Sequence, residues 1–147
     1  MKTNNIAEVE ITYKHKSTSK LTVTRSADAD EFLRGIWSNQ MEYREEMYVL
    51  LLNRANLILG YNCLSKGGTS GTVVDIKMLL QLALKTNSHA IILAHNHPSG
   101  STKPSGQDKA ITTKVKDACK LMDIALLDHL ILTESNGFLS MADEMMM

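Results

Sequence analysis

Residues 90–100 read Ala-Ile-Ile-Leu-Ala-His-Asn-His-Pro-Ser-Gly. The unbroken apolar run Ala90 to Ala94 is too short for a buried helix and does not alternate, so it reads as a strand covered on both faces. That strand runs directly into His95-Asn96-His97, and Pro98 closes it. In extended backbone, residues two apart point to the same side. His95 and His97 therefore aim two imidazoles at one point, at the end of a core strand where α/β sheets usually place their ligand sites.

Outward toward the C-terminus, a Ser/Gly/Pro-rich stretch leads to Gly106, and Ile111, Val115, Ala118, Cys119 and Met122 then recur at the spacing of one helix face. Ile124 to Leu132 is another apolar strand, and Phe138 to Met141 makes a last one after the Ser135-Asn136-Gly137 turn. Toward the N-terminus, Val74, Ile76, Met78, Leu79, Leu80, Leu82 and Ala83 form a well-buried helix ending near Asn87. Before it, MYVLLLN from Met47 is a core strand paired across the turn Asn53-Arg54-Ala55-Asn56 with Leu57 to Leu64, and the GGTSG loop of Gly67 to Gly71 ends that hairpin. Val9, Ile11 and Tyr13, then Leu21 and Val23, alternate with polar residues, which predicts two half-exposed strands joined through KHKSTSK. Ser26 stands as the N-cap of a helix carrying Phe32, Leu33, Ile36 and Trp37.

Strand and helix alternate, so the expected class is α/β: a single domain with a mixed β-sheet flanked by helices. Residues 1–40 supply the hairpin and first helix, and residues 41–147 the core. At 147 residues and 44% hydrophobic content, one domain of this kind can fill its core. Sixteen basic residues against sixteen acidic ones leave no whole-protein positive field for holding a duplex. Cys63 and Cys119 lie in apolar patterns and suit buried free thiols, so the expected compartment is the reducing cytoplasm. The N-terminus lacks an apolar signal core, and no run of roughly 18 apolar residues is present to cross a bilayer. Met145, Met146 and Met147 read as a frayed tail. Nothing in the sequence sets an oligomeric state or names a partner.

Asp108 lies eleven residues beyond His97, in the first turn of the following helix, and the loop between lets its carboxylate return to the two histidines. Two His and one carboxylate make the three-ligand set of a catalytic zinc site, which keeps a position for water and lowers that water's pKa to roughly 7. Such a site also needs a carboxylate to move the proton and a donor to steady the oxyanion.

The string His95-x-His97-Pro98, followed at the family's spacing by Ser105-x-x-Asp108, closely resembles the metal motif of the JAB/MPN/JAMM metalloenzyme superfamily. The longer stretches LLLNRAN at 50–56, SGTVVD at 70–75, ILAHNHPSG at 92–100, KPSGQD at 103–108 and LLDHLIL at 126–132 are similar to its RadC branch, from about Glu45 to Met141. The resemblance implies a cytidine-deaminase-like three-layer arrangement, zinc on His95, His97 and Asp108, and a role for Ser105 in stabilising a tetrahedral intermediate. It also implies an upstream Glu as general acid/base: counting back from Asn53 matches Glu45, with Glu46 the adjacent candidate, and only one of the two can point at the metal. The implied activity is zinc-dependent hydrolysis of a peptide or isopeptide bond. Relatives often carry a helix-hairpin-helix module for DNA, and residues 1–40 show no such pattern, so an association with DNA repair carries over only as a name.

Each feature also has a plainer reading. A lone His-x-His is more often a turn, and Ser105-x-x-Asp108 alone is a capping box. Asp128-His129 matches the family too, but a histidine in an apolar strand is more often a hydrogen-bonded core residue than a ligand. His15 and His89 read as solvated, and Glu42, Arg44, Glu45 and Glu46 as a mixed-charge face. A nucleobase deaminase would need H-x-E with P-C-x-x-C, which neither Cys63 nor Cys119 supplies. A catalytically silent JAB-type binding module and a metal-dependent nuclease are rival functions for the same residues; zero net charge and a single metal site favour a carbonyl substrate over the nuclease.

Overall fold

The computed structural model describes residues 6–10, 12–14, 20–67 and 73–147. Its centre is the pair β1 (Glu46–Leu52) and β3 (Ala90–Asn96), both buried at every position, as continuous apolar runs require. They pair antiparallel, with Met47 opposite His95 and Leu52 opposite Ala90. On the far side of β1 lies β2 (Ile58–Lys66), and beyond β3 lie β4 (Ala125–Leu132) and β5 (Phe138–Ser140), giving the order β2-β1-β3-β4-β5. Only β3 and β4 run parallel, joined by the crossover helix α3 (Gly106–Leu121), so the sheet is mixed.

Side-chain alternation divides the core into two layers. Tyr48, Leu50 and Leu52 of β1 and Ala90, Ile92 and Ala94 of β3 face α1 (Ser26–Ile36), which contributes Ala29 and Leu33, with Trp37 and Met41 just beyond it. Met47, Val49, Leu51, Ile91 and Leu93 face the opposite way, against Leu79 and Ala83 of α2 (Ile76–Lys85) and Val115 and Cys119 of α3. One helix above and two below make the three-layer arrangement. No helix among the described residues is long and apolar enough to cross a membrane.

Four local expectations need correction. Among the described residues, 6–10 and 12–14 form no strand, and Thr22 makes only an isolated bridge to Leu57; Ile11 and residues 15–19 lie outside the described residues. The physical reason is cover: Val9 is 83% exposed and Leu21 52% exposed, and only Val23, whose N–H donates to the Asn56 carbonyl beside β2, is buried in the core. Helix α1 begins at Ser26 rather than after it, because the Asp28 carboxylate reaches back to accept from the Thr24 and Arg25 N–H groups. Met122 lies past the end of α3 and is exposed, while the buried stripe runs through Thr112, Val115 and Cys119. The last residues are not frayed: Glu144, Met145 and Met146 donate N–H to the carbonyls of Ser140, Ala142 and Met141, and Met147 packs against the α2/α3 layer. Of the GGTSG loop, Gly67 donates its N–H to the Glu45 carbonyl, and residues 68–72 lie outside the described residues.

Candidate metal centre

His95 is the penultimate residue of β3, and His97 follows the strand by one position. The backbone stays extended there because the His97 N–H donates to the Leu132 carbonyl, continuing the ladder to β4. The two imidazoles therefore keep strand phase with Ile91 and Leu93 and emerge on the α2/α3 face. Helix α3 starts at the same edge, and Asp108 sits in its first turn. Ser105 caps that turn reciprocally: its Oγ accepts from the Asp108 N–H at 3.0 Å, and its own N–H donates to Asp108 Oδ2 at 2.7 Å. The cap thus orients the carboxylate as well as closing the helix.

Three ligand atoms converge. His95 Nε2 lies 3.1 Å from Asp108 Oδ1, His97 Nε2 lies 3.2 Å from Asp108 Oδ2, and the two Nε2 atoms are 2.9 Å apart. His97 Nδ1 is 2.7 Å from the Ser101 carbonyl, which can only accept, so Nδ1 carries the ring proton and a neutral His97 presents a lone pair from Nε2. Electron pairs held this close need a cation among them, either a proton on an imidazole or a metal ion. A tetrahedral zinc with bonds of about 2.0–2.1 Å separates its ligands by about 3.3 Å. The donor set, two imidazole nitrogens and a carboxylate in one small cluster, fits that ion.

Electrostatics point the same way. The hydrogen bond to Asp108 raises the His97 pKa, against the opposing effect of burial, and the charge of Glu45 adds to the rise. Burial works to raise the Asp108 pKa, but hydrogen bonds from His95 and His97 outweigh it and hold the carboxyl well below the usual range. The Asp108 carboxylate is therefore held ionised between the two imidazoles.

The two candidate glutamates part company at the sheet. Glu46 opens β1 in phase with Tyr48, on the α1 face; it is fully buried, with Oε2 accepting from Ser38 Oγ at 2.8 Å and Oε1 from Arg44 Nε at 3.2 Å. Glu45 has the opposite parity, that of Met47 and of the histidines, and its charge is felt at His97.

Several residues support the ligands from behind, among them His129, which is the buried, hydrogen-bonded core histidine that its place in an apolar strand suggests. Asn96, between the histidines, turns its side chain to the α1 side and is fully buried. Behind His95, His129 Nε2 is 2.7 Å from His95 Nδ1, and His129 Nδ1 is 2.6 Å from Thr112 Oγ1. Burial, then the neighbouring His95, lower the His129 pKa to about 3, so this ring is neutral. The loop after His97 is braced from outside: Arg34 of α1 donates to the Thr133 and Gly137 carbonyls, and Asn136 in that turn donates to the Gly100 carbonyl at 2.9 Å. Gly100 has φ +82°, and a Cβ there would stand 2.8 Å from Asn136 Nδ2. Gly100→Ala should therefore lower stability by about 1–3 kcal/mol, read as a fall in the thermal midpoint; an unchanged midpoint would show that this loop does not depend on the glycine.

The RadC-like JAB domain model matches residues 23–146. The chain belongs to the RadC-like JAB domain family. The match includes α1 as well as the sheet, so the first helix is part of the family fold. Among curated relatives, a UPF0758 protein of Flavobacterium johnsoniae is 42% identical over 122 residues, 83% of this chain and 52% of its own length. UPF0758 proteins of Porphyromonas gingivalis and Aquifex aeolicus are 45% and 35% identical, over 69% and 90% of this chain and 44% and 56% of their own lengths. The RadC-like JAB domain described here thus spans about half the length of the relatives it matches.

Proposed function

We propose that this RadC-like JAB domain is a zinc-dependent hydrolase of carbonyl substrates, with a peptide or isopeptide bond the favoured target and the cytoplasm the favoured compartment. The observation that carries the reading is the convergence of His95 Nε2, His97 Nε2 and the Asp108 carboxylate at the end of the central strand. These three would hold a zinc ion, which would supply Lewis acidity and a water whose pKa falls into the neutral range. Glu45, on the same face, takes up a proton at its carboxylate and passes it to the leaving nitrogen. Ser105 accepts from Asp108 N–H and donates its own hydroxyl proton to no acceptor among the described residues, so that proton is available to a developing oxyanion. His95, His97 and Asp108 hold, and Glu45 and Ser105 act.

Glu45→Gln separates the two roles. The variant should keep its zinc, by elemental analysis, and lose hydrolysis of a fluorogenic peptide and isopeptide panel by about 10²–10⁴-fold. Turnover equal to wild type would remove Glu45 from the mechanism. A zinc-loaded wild type inert toward the whole panel would shift the reading to a JAB-type binding module.

A further inference from the structure

Thr112 and His129 are buried polar residues, 2% and 0% exposed, that lie behind His95 and outside the ligand cluster. Thr112 Oγ1 is 2.7 Å from the carbonyl oxygen of Asp108, one turn earlier in α3, and 2.6 Å from His129 Nδ1. A carbonyl only accepts and a hydroxyl owns one proton, so that proton goes to Asp108 O. The hydroxyl oxygen is then the acceptor for His129, whose Nδ1 must carry the ring proton. A neutral imidazole has one such proton, which leaves His129 Nε2 as a lone pair. That lone pair is 2.7 Å from His95 Nδ1, so His95 must donate from Nδ1, and in the neutral ring that a metal would bind its Nε2 is bare. The bare nitrogen is the one that faces His97 and Asp108. No carboxylate oxygen hydrogen-bonds the His129 ring among the described residues; the Asp128 carboxylate beside it is taken by the His129 and Ala142 N–H groups and Ser140 Oγ.

We propose that Thr112 and His129 are positioning residues that lock His95 in the Nδ1–H tautomer, through three hydrogen bonds that begin on the backbone of the helical turn carrying Asp108. The same turn of α3 thereby supplies one ligand and dictates which nitrogen of another is free. Ligating histidines are usually oriented by a carboxylate, a carbonyl or water, and a carboxylate also makes the ligand more basic. A neutral imidazole fixes the ring without adding negative charge. The proposal rests on the zinc reading only for its purpose; the tautomer is a property of the metal-free chain.

The test uses ¹⁵N-histidine spectra of metal-free wild type, Thr112→Ser and Thr112→Val, together with zinc affinity by competition against a chromophoric chelator. Wild type and Thr112→Ser should show His95 and His129 both protonated on Nδ1. Thr112→Val removes the acceptor for His129 Nδ1–H; the His129 proton can then move to Nε2 and push that of His95 onto its own Nε2. Its spectra should show that exchange, and zinc affinity should fall by about 10–100-fold while circular dichroism stays native. Should Thr112→Val fail to fold, the wild-type spectrum decides alone. A wild-type His95 with no proton on Nδ1, or a folded Thr112→Val with unchanged tautomers, overturns the proposal. Failure of all three proteins to bind zinc would sink the hydrolase reading instead, and the metal-free spectra would still decide the tautomer.

Discussion

Asp108→Ala should purify without zinc under conditions that leave about one ion on the wild type, and added zinc should no longer raise its melting temperature. The carboxylate faces both imidazoles, one through each oxygen, so its removal takes away a ligand and the charge that drew the ion in. Outer partners of metal sites typically cost 10–100-fold in affinity, and a ligand should cost more. At a zinc concentration about 100 times the dissociation constant, binding stabilises a fold by about 2.7 kcal/mol, which is about 8 °C for a domain of this size. The variant should lose that increment. Asp108→Asn, which keeps an acceptor oxygen for the Ser105 N–H, separates the ligand effect from the cap. A variant that retains the wild-type ion would sink the assignment.

The same site should respond to pH with a definite sign. The folded pKa of His97 is raised, chiefly by Asp108, so in metal-free protein the His97–Asp108 attraction is fully present below the ordinary histidine value and is lost as pH rises through the raised value. Zinc needs the unprotonated ring. The zinc-induced increase in melting temperature should therefore grow as pH rises across that window, and Asp108→Ala, which no longer takes up the ion, should show no increase at any pH.

How much of the fold and site is legible in the sequence depends on whether a residue's partner is local. The strands at Met47 and Ala90 are legible because burial on both faces leaves a continuous apolar run, and the phase of His95 and His97 follows from the two-residue repeat of a strand. Asp108 is legible through its motif spacing. The N-terminal alternation misleads because periodicity shows which side chains share a face, but not whether anything covers that face. Thr112 falls between the apolar residues of α3 and looks like a solvent position, yet it meets a histidine 17 residues away. Arg34 finds its partners 99 and 103 residues along the chain, and Asn136 finds Gly100 at a separation of 36. Polar residues whose partners are distant backbone atoms leave no pattern to read.

Asn96 makes the same point with a larger energy. Its Oδ1 accepts from the Glu46 N–H at 2.7 Å, and its Nδ2 donates to the carbonyls of Met41 at 2.7 Å and Arg44 at 2.9 Å. One amide thus serves three backbone groups of the segment that leads into β1, and that segment carries Glu45. Asn96→Ala leaves all three without a partner, and each unsatisfied buried group costs about 1–3 kcal/mol. The expected loss is about 3–5 kcal/mol, a large share of the 5–15 kcal/mol typical of a domain, seen as a lower denaturant midpoint at unchanged slope. Asn96→Asp has the same shape but turns a donor into an acceptor that faces two carbonyls, so it should be no better tolerated. A loss below about 1 kcal/mol in both variants would mean that water replaces the amide. Because Asn96 points away from the ligand face, the folded fraction of either variant should still bind zinc, while hydrolysis should fall through misplacement of Glu45. Zinc retained with activity lost is the signature that separates this brace from a ligand, and it ties the buried α1 layer to the chemistry on the opposite side of the sheet.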